Sequence, residues 1–331
     1  MFELCYKITI GTKKFSGVFE VEIKRSITNL GATCTIKVPT TATMKQTDGS
    51  RLNVLTAQVI KRGDAVEVEL GYNNKFNKEF SGYVTRVNFT RPLEVECEDA
   101  LFLLRQKSIA KTYNEKDKAT LEKVLADITA GTGIKVDTGT LKINISKLIL
   151  ATKTGGEVSR DLALNDVLSR YGLVGYFDTA QGLFVGLRQG KKGKTVRLRI
   201  GWNTIKDDEL KYHAAEESKV KIKAIYVNKL GTRTEIEVGD KDGSARTVFL
   251  TDVADATQLK TLAQNELAKW KFDGYAGKIT AFLEPFAEPG CIMRITDPQY
   301  SQRSGDYYCD GIEVTFGTNG ARRKIELGAK V

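Results

Sequence analysis

Gly63-Asp64-Ala65-Val66-Glu67-Val68-Glu69-Leu70 alternates apolar and acidic side chains with period two and closes on Gly71-Tyr72-Asn73-Asn74. That pattern predicts a half-buried β-strand that opens at a glycine and ends in a polar turn. The text on either side repeats the theme. Downstream lie Phe80 to Phe89 and Leu93 to Cys97. Upstream lie Tyr6 to Ile10 with a turn over Lys13 to Gly17, then Phe19-Glu20-Val21-Glu22-Ile23, then Ala32 to Val38, stopped by Pro39. Short strands separated by Gly, Asn and Pro turns predict a small antiparallel barrel or sandwich, taken as a barrel over residues 1–104.

The opening stretch has an echo 227 residues later. Gly63, Val66 and Val68 line up with Gly290, Met293 and Ile295. Without a gap, Phe80 meets Tyr307, Val87 meets Val314 and Phe89 meets Phe316. Side chains alternate with period two, so a shared register implies a shared inner face. Residues 193–230 and 276–331 are therefore predicted to form a second barrel like the first. The set read as the structural signature of both is Gly63, Asp64, Val66, Val68, Phe80, Gly82 and Val87 with Gly290, Met293, Ile295, Tyr307 and Val314.

Between the barrels the period changes. Leu121, Val124, Leu125 and Ile128 fall at helical spacing before Gly131. Leu164, Val167, Leu168 and Tyr171 do the same between a Ser159 N-cap and a Gly172 stop. A hairpin over Gly175 to Leu187 completes an α/β domain at 105–192, and Gln189 to Lys194 reads as a linker. Glu235–Val238 and Thr247–Leu250 read as a hairpin, and Asp255 to Trp270 as a helix with Leu259, Leu262, Ala263 and Leu267 inward. Both belong to a predicted insertion at 231–275, packed on the outside of the second barrel. The fold class is mainly β with α+β insertions: two similar antiparallel barrels plus small α/β domains.

The chain of 331 residues is long enough for more than one core. No apolar run approaches the ~20 residues that span a bilayer, so no membrane anchor is expected. Met1 to Tyr6 lacks the look of a signal peptide, and synthesis in the cytosol is expected. The five cysteines show no CxxC or Cys/His spacing; Cys34 and Cys97 alternate with core residues and read as small buried hydrophobes. The formal charge of +10 is spread over short clusters such as Lys191-Lys192-Gly193-Lys194 and Arg322-Arg323-Lys324, which read as solvated faces. His213 is the only histidine, which removes every two-histidine metal motif. No GxGxxG opening a helix, no P-loop and no GxSxG elbow occurs. Catalytic, metal and cofactor sites are all expected to be absent, and the chain reads as not an enzyme.

The order of these segments resembles the hub proteins of contractile phage tails, the late-control D family, together with the Mu-type tail hub and the N-terminal region of VgrG spikes. The residues that carry the resemblance are Phe19 to Ile23, Ala32 to Pro39, Ile60 to Val68, Gly71-Tyr72, Phe80 to Val87, Pro92 to Val95 and Cys97-Glu98-Asp99. Near the end they are Glu288-Pro289-Gly290 through Asp297, Gly305 to Val314 and Gly320-Ala321-Arg322, preceded by the Asp255 to Trp270 helix. The resemblance implies a homotrimeric ring of six barrels that joins a sixfold tail tube to a threefold spike. The implied partners are further copies of itself, a tube protein, a spike protein and a tape-measure protein, with DNA passing through the lumen unread. The implied place is the baseplate of a virion tail, assembled in the bacterial cytoplasm. Unlike VgrG, the text ends soon after the second barrel, so the spike is expected to be a separate chain.

A reading from a different class remains open beside this one. OB-like barrels with a basic surface and exposed aromatics, such as Tyr72 and Phe76, would suit a nucleic-acid- or glycan-binding module.

Overall fold

The computed structural model describes all residues except 1–2, 46–49, 140, 192, 208, 218, 228–232, 251–255 and 269. Its first unit holds β1 (Leu4–Ile10), β2 (Glu20–Ser26), β3 (Thr33–Val38), β4 (Ala65–Tyr72), β5 (Lys75–Asn88) and β6 (Leu93–Glu98). They pair antiparallel in the order β1-β4-β5-β6-β3-β2. Ile8, Ile10, Val21, Ile23, Cys34, Ile36, Val66, Val68, Val95 and Cys97 all point into one core, as the period-two text requires. Among the described residues the cysteines are free thiols, and all but Cys5 are buried.

The chain then leaves the sheet for helices α1 (Leu121–Thr129) and α2 (Arg160–Tyr171) and the hairpin of Val174–Phe177 with Leu183–Gly186. Ser159 stands at the α2 N-cap without a side-chain cap bond, and Gly172 ends the helix in the left-handed region at φ 61°. The chain returns through β7 (Thr195–Arg199), β8 (Thr204–Lys206) and β9 (Lys211–His213).

Next comes a three-stranded sheet of β10 (Val220–Val227), β11 (Arg233–Gly239) and β12 (Ser244–Leu250), covered by α3 (Ala256–Ala268). Three sequence expectations change here. First, β10 lies outside the second barrel: Val220, Ile222 and Ala224 join Leu259, Leu262 and Ala263 in the same core as α1 and α2. Second, α3 packs in that helical core and not on the outside of the barrel. Its expected start, Asp255, lies outside the described residues. Third, β11 and β12 do not form a hairpin with each other. They flank β10, one antiparallel and one parallel. The turn between them wraps the start of β10: Asp240 N–H donates to Val220 O at 3.1 Å, and Ser244 N–H donates to Lys219 O at 2.9 Å. Glycine permits so close a pass, since a Cβ on Gly239 would sit 2.4 Å from Val220 O and one on Gly243 2.7 Å from Val220 C.

The second unit closes with β13 (Gly274–Ala281), β14 (Ile292–Thr296), β15 (Gly305–Gly317) and β16 (Gly320–Lys330), in the order β7-β14-β15-β16-β13 with β8 and β9 on the far edge of β13. This order repeats that of the first unit. One pairing differs, because β7 runs parallel to β14 where β1 runs antiparallel to β4. Parallel neighbours need a long crossover, and here everything from β8 to the start of β14 supplies it.

The two units are one sheet. The second half of β15, Gly311 to Gly317, pairs antiparallel with β2 from Ser26 to Glu20, which makes a fourteen-stranded sheet over a shared core.

Below the end of β6, Asp99 turns the chain. Its carboxylate accepts Ala32 N–H at 2.6 Å and Leu101 N–H at 3.0 Å. Burial, opposed by those two donors, pushes its pKa up to about 7. The folded chain then holds a proton that the unfolded chain releases between about pH 4 and 7, so this contribution to stability is full below that window and lost on rising through it. The urea midpoint is expected to fall between pH 5 and 8, with a shallower fall in Asp99→Asn; a slope unchanged by the substitution would refute the assignment.

Candidate functional site: the joined sheet and its edges

The two signature glycines occupy the same strained position in both units. Gly63 has φ 90° and Gly290 φ 89°, a region that side chains disfavour. Gly63 N–H donates to Val84 O, and Val84 N–H to Asp64 O. Gly290 N–H donates to Cys309 O, and Cys309 N–H to Cys291 O. The duplicated hydrogen bonds make Val84 the counterpart of Cys309, whereas the ungapped alignment matches Val84 to Gly311. The second hairpin is thus two residues shorter, so Tyr307 stands where Gly82 does, Ile312 where Val87 does and Val314 where Phe89 does. A slip of two preserves the faces, which is why Met293, Ile295, Tyr307 and Val314 are still buried, as Val66, Val68 and Phe80 are. Val87 is half-buried against the same core. Gly82 is required by space, since a Cβ there would lie 2.2 Å from Glu98 O. Asp64 accepts Lys61 N–H at 2.8 Å and shapes the turn.

Across the joint the wet face of the sheet carries charges of both signs. Lys37 bonds Glu20 at 2.7 Å, Lys24 bonds Glu22 at 2.5 Å and Lys278 stands 4.0 Å from Glu326. Lys24 also lies opposite Glu313, which lies opposite Lys324. Exposed pairs contribute little each; their effect here is a wall with alternating charge and no strong field.

Beneath that wall the joint is locked by ions that sequence reading missed. Arg323 of β16 is fully buried and grips Glu79 of β5, also buried, at 2.6 and 3.1 Å. Its remaining N–H groups donate to Leu283 O and Ala287 O. Arg25 of β2 reaches Glu288 at 3.2 Å. Asp310, its pKa raised by burial, binds Arg188 and offers its carbonyl to Ile27 N–H. The Arg323–Glu79, Arg25–Glu288 and Ile27–Asp310 contacts each tie the first unit to the second.

No catalytic grouping emerges from the candidates. His213 Nδ1 lies 2.9 Å from Phe272 O, and its ring stacks on Phe272. Among the described residues no group of three His, Cys, Asp or Glu is placed to hold a metal, and no helix is long and apolar enough to cross a membrane. Tyr72 and Phe76 do not offer open rings. The Tyr72 hydroxyl bridges Leu283 N–H and Ala321 O, and Lys7 covers Phe76 at 4.0 Å. A cleft of about 760 Å³ opens at the rim of the joint, where Phe19, Pro39, Pro92 and Phe316 meet Arg91 and Arg322.

No family model and no curated protein matches the sequence. Solved structures do. The 43 kDa tail protein of prophage MuSo2 from Shewanella oneidensis aligns over 97% of both chains at 16% identity and TM-score 0.63. A tail protein from Neisseria meningitidis aligns over 98% of this chain and 96% of its own at 12% identity and TM-score 0.68. An Escherichia coli component of the type VI secretion system, described as similar to T4 bacteriophage tail proteins, aligns over 99% and 77% at 9% identity and TM-score 0.60. The chain therefore has the fold of phage tail proteins and their secretion-system counterparts.

Arg323→Met would strand a buried carboxylate at Glu79, and removal of one partner of a buried pair costs about 3–5 kcal/mol. Chemical denaturation is expected to show a loss of that size, with much of it regained in the Arg323→Met/Glu79→Met double variant. A single variant within ~0.5 kcal/mol of the parent, as for surface changes, would remove the pair from its place in the joint.

Proposed function

We propose that the chain is a structural hub of a phage-type tail baseplate, which closes as a homotrimeric ring between a tail tube and a spike. One observation carries this reading: two units of the same strand order, fused in register into one sheet, sit in a chain with the fold of tail proteins. Three such chains present six near-equivalent units, the number a sixfold tube needs, while keeping the threefold symmetry a spike needs. The alternating charges of the wet face suit a lumen wall that lets DNA or a tape-measure protein pass without gripping it. The likeness to tail proteins supports a structural over an enzymatic reading, and the proposed division is 1–104, 105–192, a second barrel and an insertion, with β10 reassigned to the insertion. The place of action is the virion tail, with assembly in the bacterial cytoplasm.

For the alternative of an oligonucleotide- or glycan-binding module, Tyr72 and Phe76 are engaged within the chain, and the aromatic surface left to it is that of exposed rings such as Phe89 and Trp202. Light scattering and electron microscopy of the purified chain are expected to give three copies in a ring with a central opening. A monomer at micromolar concentration would refute the ring, and salt-sensitive retention on single-stranded DNA would favour the alternative.

A further inference from the structure

Four of the five cysteines are buried, and they stand as two cross-strand couples. Cys34 of β3 lies directly opposite Cys97 of β6. Cys291 lies opposite Cys309 of β15: Ile292 pairs with Tyr308, and one step further Cys309 N–H donates to Cys291 O at 2.9 Å. All four side chains belong to the shared core. Opposed residues of an antiparallel pair have Cα atoms about 4.5–5.5 Å apart, inside the ~4.4–6.8 Å that a disulfide spans. The backbone therefore allows either couple to bond.

The two couples differ in what surrounds them. Cys34 and Cys97 sit within a continuous ladder, 1% and 3% exposed. Burial raises both thiols, and their neighbours raise them further: Cys97 and Glu22 act on Cys34, and Glu96 acts on Cys97. Cys291 stands just before β14, after the turn at Gly290. It lines a surface cleft of about 620 Å³ together with Lys194, Arg197, Trp202, Pro285 and Phe286. Burial raises its thiol and the Glu288 charge adds to this, but a backbone hydrogen bond at Glu288 and the charges of Arg25 and Lys191 oppose the rise. The thiolate is the form that attacks a disulfide. Cys291 is thus the member placed to react, with the fully buried Cys309 behind it to complete the exchange.

We propose that Cys291 and Cys309 form a reversible disulfide site, oxidised through this cleft by a small disulfide of the glutathione class. The Cys291 thiolate attacks one sulfur of the reagent. A mixed disulfide forms, and the other half leaves as a thiolate that takes up the proton Cys291 released. Cys309 then gives up its proton and attacks Cys291 Sγ, and the second half leaves as a thiol. The chain loses two electrons and two protons, and the reagent gains them as two thiols. The new bond ties the turn before β14 to β15 two residues ahead of Gly311, where the ladder with β2 begins, and so fastens that end of the joint. The site does not depend on the hub reading, which adds only the timing: a chain made where thiols stay reduced would close the bond after release.

The test uses the full chain, folded and reduced, with oxidised glutathione as the probe and peptide mass mapping after the remaining thiols are alkylated in denaturant. The parent is expected to give a Cys291–Cys309 cross-linked peptide, with Cys34 and Cys97 recovered as free thiols. Cys309→Ala is expected to stop at a glutathione adduct on Cys291, and Cys291→Ala to leave Cys309 free. The oxidised parent is expected to unfold at a higher urea concentration than the reduced parent, a difference that dithiothreitol removes and that Cys291→Ala lacks. Recovery of Cys291 and Cys309 as free thiols, or an adduct confined to the half-buried Cys5, overturns the site. So does oxidation of Cys34 and Cys97 ahead of it. The parent's own peptide map decides this even where a variant fails to fold. A chain that stays monomeric yet forms the bond keeps this site and removes the ring alone.

Discussion

Everything in this molecule depends on seven ladder positions, Glu20 to Ser26 of β2 against Gly317 to Gly311 of β15. Without them there are two small sheets, each with a bare edge and half a core. With them Val21 and Ile23 cover Val314 and Phe316, and one continuous core runs beneath. The ladder is the reason Arg323 and Glu79 can be buried together. They sit in different units, and only a fixed joint holds a guanidinium and a carboxylate out of water with every guanidinium N–H satisfied. Loosening the joint would strand both charges, at the cost that attends any unpaired buried ion.

The helical body braces the same joint. Its two parts enter the chain at different places, one after β6 and one after β9, yet their apolar faces merge into a single core in which Leu121 and Leu164 are grouped with Val220 and Leu259. A smaller cluster ties that body to the seam itself: Ile27 at the end of β2 and Tyr308 on β15 pack with Tyr176 and Phe184 of the hairpin. Tyr308 also donates to Lys191 O at 3.1 Å. The hairpin is thus a second layer laid over part of the line where the two units meet.

What the sequence made legible follows from period two. Alternation placed Val66, Val68, Met293, Ile295, Cys34 and Cys97 on the correct face, because local sterics and burial set that pattern. It could not see bulges. β5 and its partner shift register between Val68 and Glu69, which turns both Glu79 and Phe80 inward, so the buried carboxylate was invisible to counting. Arg323 was visible in principle: Ala321, Ile325 and Leu327 alternate with it on the inner face, yet the Arg322-Arg323-Lys324 cluster reads as solvated surface. The pairing of β10 was lost for another reason. Its alternation of lysines with Val220, Ile222 and Ala224 fits any half-buried strand, and which core receives the apolar face is decided by distant partners. The repeat was legible to within one two-residue step, the one error a period-two pattern cannot expose.

The two units also differ in a way that duplication alone does not explain. β2 is one unbroken strand, whereas its counterpart is split into β8 and β9 by a turn in which Leu210 N–H returns to Asp207 O. β2 has to hold a full ladder on both edges, with β3 on one side and β15 on the other. A strand so used cannot bulge without breaking one partner's hydrogen bonds. β8 and β9 meet β13 alone within the chain and are free to bend. In the bend Arg303 engages Asp207 and Asp297, and Lys324 reaches Glu209 at 2.6 Å, so the interruption is held by charge and not by a second strand. The continuous member of the pair lies where the chain must be rigid within itself, and the split member lies at the margin of the sheet, where local side chains set its shape.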